Sequence, residues 1–249
     1  MKKKPVFYTE VCYFCGILTL AVGAALLVRA DFGVSVVVSP AYLLHLKLSQ
    51  IWPFFSFGLA EYVVQGTLLL LLILLVQRFH WSYLFSFVTA LFYGFVLDRV
   101  LSLLSLISLN HVGLRILVFL LGLLLCAVGV SFVLHTYLSP EVYELLIREI
   151  SARYAWKLGK VKTIYDCVSC LVAIALSFAF FGLFHFHGIG VGTVISALVN
   201  GTLISFVSRF LESHFELLPA FPKTAHLFSP PPFSQPFAPQ GSSEESSMG

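Results

Sequence analysis

Apolar residues run almost unbroken through six stretches, 12–30, 57–77, 82–107, 112–136, 163–185 and 189–211. Each reaches the roughly 20 residues that a helix needs to cross a bilayer. They are too long and continuous for barrel strands. Backbone polar groups in lipid must be satisfied within the segment, so each stretch predicts a spanning helix. Two shorter segments break the pattern. Residues 36–50 are apolar, with Pro40 near their start. Residues 139–156 open with Ser139, Pro140 and Glu141, which read as a cap, a first-turn proline and a first-turn acid. Val142, Leu145, Leu146 and Ile150 then share one side, with Glu144, Arg148 and Glu149 elsewhere. Both segments predict short interfacial or partly re-entrant helices.

The pattern repeats. "GILTLAVGAALLV" (16–28) lies over "GLLLCAVGVSFVL" (122–134), matching Gly16 and Gly23 to Gly122 and Gly129. "TALFYG" (89–94) lies over "SALVNG" (196–201), matching Gly94 to Gly201. Gly16, Gly23, Gly122, Gly129 and Gly201 are therefore candidates for close helix packing. Each half holds three spans, and an odd number turns the second half upside down, a plan frequent among secondary transporters. The expected fold is an all-α integral membrane protein: six transmembrane helices as two inverted three-helix repeats, each with a short interfacial or re-entrant helix. The repeats cover 12–107 and 112–213, between an N-terminal segment 1–11 and a tail 214–249. Six prolines from Pro222 to Pro239, mixed with serines, predict that the end of this tail is disordered.

Composition agrees. Hydrophobic residues make up 59% and charged residues 11% of the 249, against about 25% charged in a soluble domain. Mean hydropathy is +0.94. Lys2, Lys3 and Lys4 precede the first run, which is read as an uncleaved first helix rather than a signal. With the N-terminus inside, the cytoplasmic side collects Lys2–Lys4, Arg78, Arg148, Arg153, Lys157, Lys160, Lys162, Arg209 and Lys223. Only Arg29, Lys47, Arg99 and Arg115 fall outside, so both termini are expected in the cytoplasm. The net charge of +3 therefore reports topology and predicts no nucleic-acid partner.

Ionisable residues inside spans cost several kcal/mol unless paired or wetted, so they are candidates for substrate or coupling-ion contact. They are Arg29 and Asp31 at the end of the first span, Glu61 in the second, Asp98 and Arg99 in the third, and Asp166 opening the fifth. Asn200 adds a polar group to the last span. Glu61 and Asp166 lie 105 residues apart, near the repeat offset, so inversion would set them as counterparts. Arg29 and Asp31 read either as an interfacial ion pair before the Gly33 turn or, through Arg29, as a hold on an anionic solute. Asp98 with Arg99 reads as a structural pair or a solute contact. Cys12 with Cys15 and Cys167 with Cys170 form two C-x-x-C pairs, weak metal candidates because helical i and i+3 merely share a face. His185 and His187 in "HFHG" read as wet loop residues or as a metal or pH site. No nucleophile elbow, phosphate loop, H-E-x-x-H helix or dinucleotide fingerprint is present, so neither catalysis nor a cofactor is expected.

"LVRADFGVSVVVSP" (27–40), "YGFVLDRV" (93–100), "VKTIYD" (161–166) and "GVGTVISALVNGTLISF" (190–206) resemble motifs of the YczE/YyaS/YitT family of bacterial multi-pass membrane proteins. The resemblance covers about 12–212. In the second half, "HTYLSPE" (135–141) departs from the basic-Ala-acid-x-Gly pattern. The resemblance implies six spans in the bacterial inner membrane and names no substrate. The expected function is a secondary transporter or facilitator of a small solute. The alternative is a non-transporting scaffold or regulator acting through 148–162 or the Pro-rich tail. Expected partners are the lipid bilayer, the solute and a second copy of the chain.

Overall fold

A computed structural model describes residues 5–77, 79–107, 109–156, 158–182 and 189–220. His185, His187 and the Pro/Ser-rich segment from Phe221 onward lie outside the described residues. The element order is β1 (Val6–Tyr8), α1 (Thr9–Ala30), α2 (Ser39–Leu48), α3 (Phe57–Val76), α4 (Trp81–Leu104), α5 (Val112–Leu134), α6 (Val142–Tyr154), α7 (Leu158–Phe181), α8 (Val191–His214) and β2 (Glu216–Leu218). Six of the helices, α1, α3, α4, α5, α7 and α8, are long and apolar enough to cross a membrane. Their outward faces carry large apolar side chains, such as Leu74, Leu103 and Leu198, which a water-facing surface would not tolerate. The protein is a multi-pass membrane protein.

α1 and α5 cross at the centre, each on the other's glycines. A Cβ on Gly23 would lie 2.7 Å from the Cys126 amide nitrogen, and one on Gly129 2.6 Å from that of Leu20. Gly16 approaches Gly129, and Gly23 approaches Gly122. No side chain fits between backbones this close, so the four positions set the helix separation. Gly201 differs, since a Cβ there would meet nothing within 4 Å. Its expected packing role has no partner among the described residues. The glycine that packs in the repeat-related position, Gly94, meets Gly58 and Tyr62 of α3.

Both described chain ends lie on one face, here the terminal face. β1 pairs with β2 in parallel, and Phe7 packs on Phe132 and Phe215 at ring separations of 6.2 and 6.0 Å. α1 ends and α8 begins on the opposite face, where the Gly192 amide donates to the Phe32 carbonyl at 2.8 Å.

The two short helices are re-entrant. α6 starts level with the middle of α3, where the Val142 amide donates to Gln65 Oε1 at 3.2 Å. It ends toward the terminal face, where Tyr83, in the first turn of α4, donates to Glu149 at 3.2 Å. Val142, Leu145 and Leu146 bury against Leu69, Leu72 and Val76 of α3. Ala155, left-handed at φ 50°, stops the helix. The helix begins at Val142, with Glu141 as its N-cap, two residues later than a Ser139 cap and a first-turn Pro140 predict. Those residues stay extended, and the Ser139 carbonyl accepts from Thr89 at 3.0 Å. α2 mirrors this from the other side. Residues Val34–Val38 descend from the opposite face to mid-depth, and α2 then returns to place Lys47 against the Phe180 carbonyl at 3.2 Å.

Candidate functional site

The N-termini of α2 and α6 meet around a cavity of about 50 Å³, enough for on the order of three waters. Its apolar wall is built from Leu20, Leu27, Val130 and Ile204, and its polar wall from Glu141, Tyr143, Glu144, Lys162 and Asn200. Glu141 is 5% exposed.

Behind this wall lies Glu61, fully buried. Tyr143 Oη donates to Glu61 Oε2 at 2.8 Å. Gln65 Nε2 bridges Glu61 Oε2 at 3.2 Å and Glu141 Oε2 at 3.4 Å. Among the described residues, every donor to this carboxylate pair is neutral. Glu61 Oε1, Glu141 Oε1 and Asn200 Oδ1 are buried with no hydrogen-bond partner. Buried polar atoms are almost always satisfied, so two orphaned acceptors on the cavity wall, with a third on Glu61 behind it, mark a place built for a donor. Burial, with Glu144 and Glu61 nearby, pushes the Glu141 carboxyl well above the usual range, while Gln65 pulls it back. Glu144 is also raised by burial, against the pull of Lys162.

The expected counterpart of Glu61 is placed elsewhere. Asp166 pairs with Lys162 at 3.5 Å one helical turn away, with a quarter of its side chain exposed. It lies outside the cavity wall. The carboxylates that meet Glu61 come from α6, which "SPEVYELL" (139–146) did not reveal. Glu141 reads there as an acid serving its own helix, and its approach to Gln65 depends on the chain re-entering 76 residues later.

Asp98 and Arg99 engage different partners. Asp98 accepts from Ser56 Oγ at 2.5 Å and the Gly58 amide at 2.8 Å, so it caps α3 together with Ser56, which accepts from the Leu59 amide at 3.1 Å. The Arg99 guanidinium lies 5.0 Å over the Phe95 ring on the lipid-facing side.

Arg29 and Asp31 do not pair with each other either. Arg29 Nη2 donates to the Ile107 carbonyl. Asp31 ends α1 in the left-handed conformation and accepts from Arg115 of α5 at 2.9 Å. Arg115 also donates to the Ala30 carbonyl at 2.9 Å. Gly33, at φ +110°, then turns the chain inward against Gly190 and Thr193 at the start of α8. Together with Tyr42 and Asn110, Arg29, Asp31 and Arg115 rim an open recess on the opposite face.

The C-x-x-C pairs occupy separate helices, with Cys12 donating to the Phe132 carbonyl at 3.4 Å and Cys167 exposed. Among the described residues, no three His, Cys, Asp or Glu side chains are grouped to hold a metal ion.

Six spans, two re-entrant helices and a buried polar centre define the class, a polytopic helical membrane protein. The chain belongs to a family of unknown function, DUF6198, whose model matches residues 7–209. That match runs from the first span through most of the last. No curated protein and no solved structure matches the chain.

Proposed function

We propose that the protein is a secondary transporter or facilitator of a small solute, built as two inverted three-helix repeats around the central cavity. The observation that carries this reading is the meeting of two half-helix N-termini at a cavity backed by the buried Glu61–Gln65–Glu141 group. Broken helices that leave polar backbone at mid-membrane are tolerated where they line a cavity, and transporters place substrate there. Reciprocity across α1 and α5 supports the repeat. Gly16 meets Gly129 and Gly23 meets Gly122, as a two-fold axis in the membrane plane requires when 16 corresponds to 122 and 23 to 129.

The halves differ in closure. α3 and α4 pack tightly through Gly58 and Gly94. Among the described residues α7 and α8 make little or no direct contact, although Lys162 of α7 and Ile204 of α8 line the same cavity. On this reading the molecule is open between α7 and α8 toward the terminal face and closed between α3 and α4 toward the other. Exchange of the two closures would move access across the membrane.

Cys126 on the cavity wall tests this reading. In a chain with the other four cysteines replaced by alanine, a membrane-impermeant methanethiosulfonate is expected to label Cys126 from both faces, faster from the terminal face. A Cys126 that resists the reagent from both faces would mean a dry interior and shift the weight to the scaffold reading. The Lys and Arg distribution, with the resemblance to the YczE/YyaS/YitT family, supports a bacterial inner membrane with the terminal face in the cytoplasm. Reporter fusions after Lys160 and Asn110 are expected to read internal and external, and the reverse pattern rejects this orientation.

A further inference from the structure

We propose that the central site exchanges a small organic ammonium ion for a proton, with the Glu61 and Glu141 carboxylates as the shared binding groups; this rests on the transport reading above. Three observations lead there. First, the pair is buried, at 0% and 5% exposure, and its hydrogen-bond donors among the described residues are neutral. An ionised carboxylate kept in such a place costs several kcal/mol, so it must gain either a proton or a cation. Second, Glu61 and Glu141 each keep one unpartnered oxygen, and Asn200 Oδ1 on the cavity wall is a third. These acceptors suit an N–H donor or the positive surface of an alkylammonium. Third, the remaining wall is apolar and aromatic, from Leu20, Leu27, Val130, Ile204, Tyr93 and Tyr143. Such a surface suits an organic cation, through dispersion and ring faces, and is poor in the oxygens that hard metal ions require.

The titratable groups around the pair leave this balance intact. Tyr13 of α1, Tyr93 of α4, Cys126 of α5, and Tyr143 and Glu144 of α6 are neutral or acidic. Lys162 of α7 is the cation on the wall, and it already pairs with Asp166 and faces Glu144; Tyr165 beside them packs on Tyr143 at 6.3 Å. Glu141 is itself the N-cap residue of α6, so its ionised form meets the positive end of the helix dipole.

The step balances without a co-reactant. The cation enters, a protonated Glu141 or Glu61 gives its proton to cavity water, and water carries it to the open face. After access switches, a proton from the other side restores the carboxyl and the cation leaves. One site cannot hold both ions, so their movements are opposed and coupled.

Tetramethylammonium is a suitable probe, because it has no proton to lose and cannot cross lipid as a neutral amine. The full chain is reconstituted in vesicles loaded with tetramethylammonium and a trapped pH dye, then diluted into medium free of it. Wild-type vesicles are expected to acidify. Glu141→Gln and Glu61→Gln should slow acidification at least tenfold while eluting as folded protein, and Glu141→Asp, which keeps the charge, should restore part of the rate. No acidification by the wild type, or wild-type rates in both Gln variants, overturns the proposal. Equal driving by a sodium gradient overturns the organic cation. Labelling of Cys126 from both faces with no acidification would reject proton exchange alone, whereas a Cys126 resistant from both faces rejects transport itself.

Discussion

Purified protein in detergent is expected to lose thermal stability as pH rises above about 5, and Glu141→Gln to remove much of that loss. The carboxyl of Glu141 is held well above its ordinary value of 4.5 by burial, then by Glu144 and Glu61. Below pH 4.5 the folded and unfolded chains both carry the proton, and the group contributes no pH dependence. Above 4.5 the unfolded chain ionises while the folded chain keeps its proton. The folded state then binds more protons, and stability falls by about 1.4 kcal/mol per pH unit for this group until the folded carboxyl also ionises. Glutamine is neutral throughout and can still bond Gln65. Glu141→Gln should therefore melt higher than wild type at pH 8, converge with it at acidic pH, and lose exchange activity. A stabilised but inactive variant is the expected trade at a site whose charge serves function. A wild-type melting curve independent of pH, or a variant less stable than wild type at every pH, would remove the acid pair from this role.

The sequence made the spans legible because a bilayer imposes one length on every crossing. The ends are set by other forces. Hydropathy starts the fifth stretch at 163, yet α7 begins at Leu158, because Lys160 and Lys162 lower apolarity without breaking a helix. The third stretch reached 107, yet α4 stops at Leu104, where Ser105 caps it and the chain turns. Polar partners were less legible than spans. Sequence proximity pairs Asp31 with Arg29, yet Asp31 meets Arg115, 84 residues away. It pairs Asp98 with Arg99, yet Asp98 holds Ser56 and Gly58. In each case local spacing pointed to an adjacent charge, while helix packing offered a better-placed donor.

The central site shows the same division. Glu61 was legible because a carboxylate in an apolar run needs a reason. Its companions were not, because α6 reads as an amphipathic helix with one wet side. What places Glu141 and Tyr143 against Glu61 is the descent of 135–141 to mid-depth, a consequence of tertiary packing that no period in 139–156 encodes. The departure of "HTYLSPE" (135–141) from the first-half motif was therefore informative. It marks where the second half exchanges a glycine turn for an extended Ser-Pro-Glu entry that carries an acid into the centre.

A wedge at Gly58 should reverse which face reaches the cavity. Gly58 lies in the first turn of α3, where a Cβ would press on the Gly94 carbonyl and lie 2.5 Å from Asp98 Oδ2. The backbone of α4 cannot yield as a flexible side chain would, so Gly58→Ala must part α3 from α4 at the face opposite the termini. Overpacking of this kind costs roughly 1–3 kcal/mol in the closed arrangement. If that cost falls on the state with α3 and α4 closed, the balance of states shifts by about tenfold for each 1.4 kcal/mol. The Cys126 labelling rate is then expected to rise from the far face and fall from the terminal face, changing their ratio at least tenfold. Gly58→Val should push further in the same direction, with some loss of folded yield. The two rates are the decisive readout, because a merely loosened protein would speed both. A folded Gly58→Ala protein whose rates stay unchanged, or move together, would show that α3–α4 closure does not control access, and the two halves would then not exchange roles.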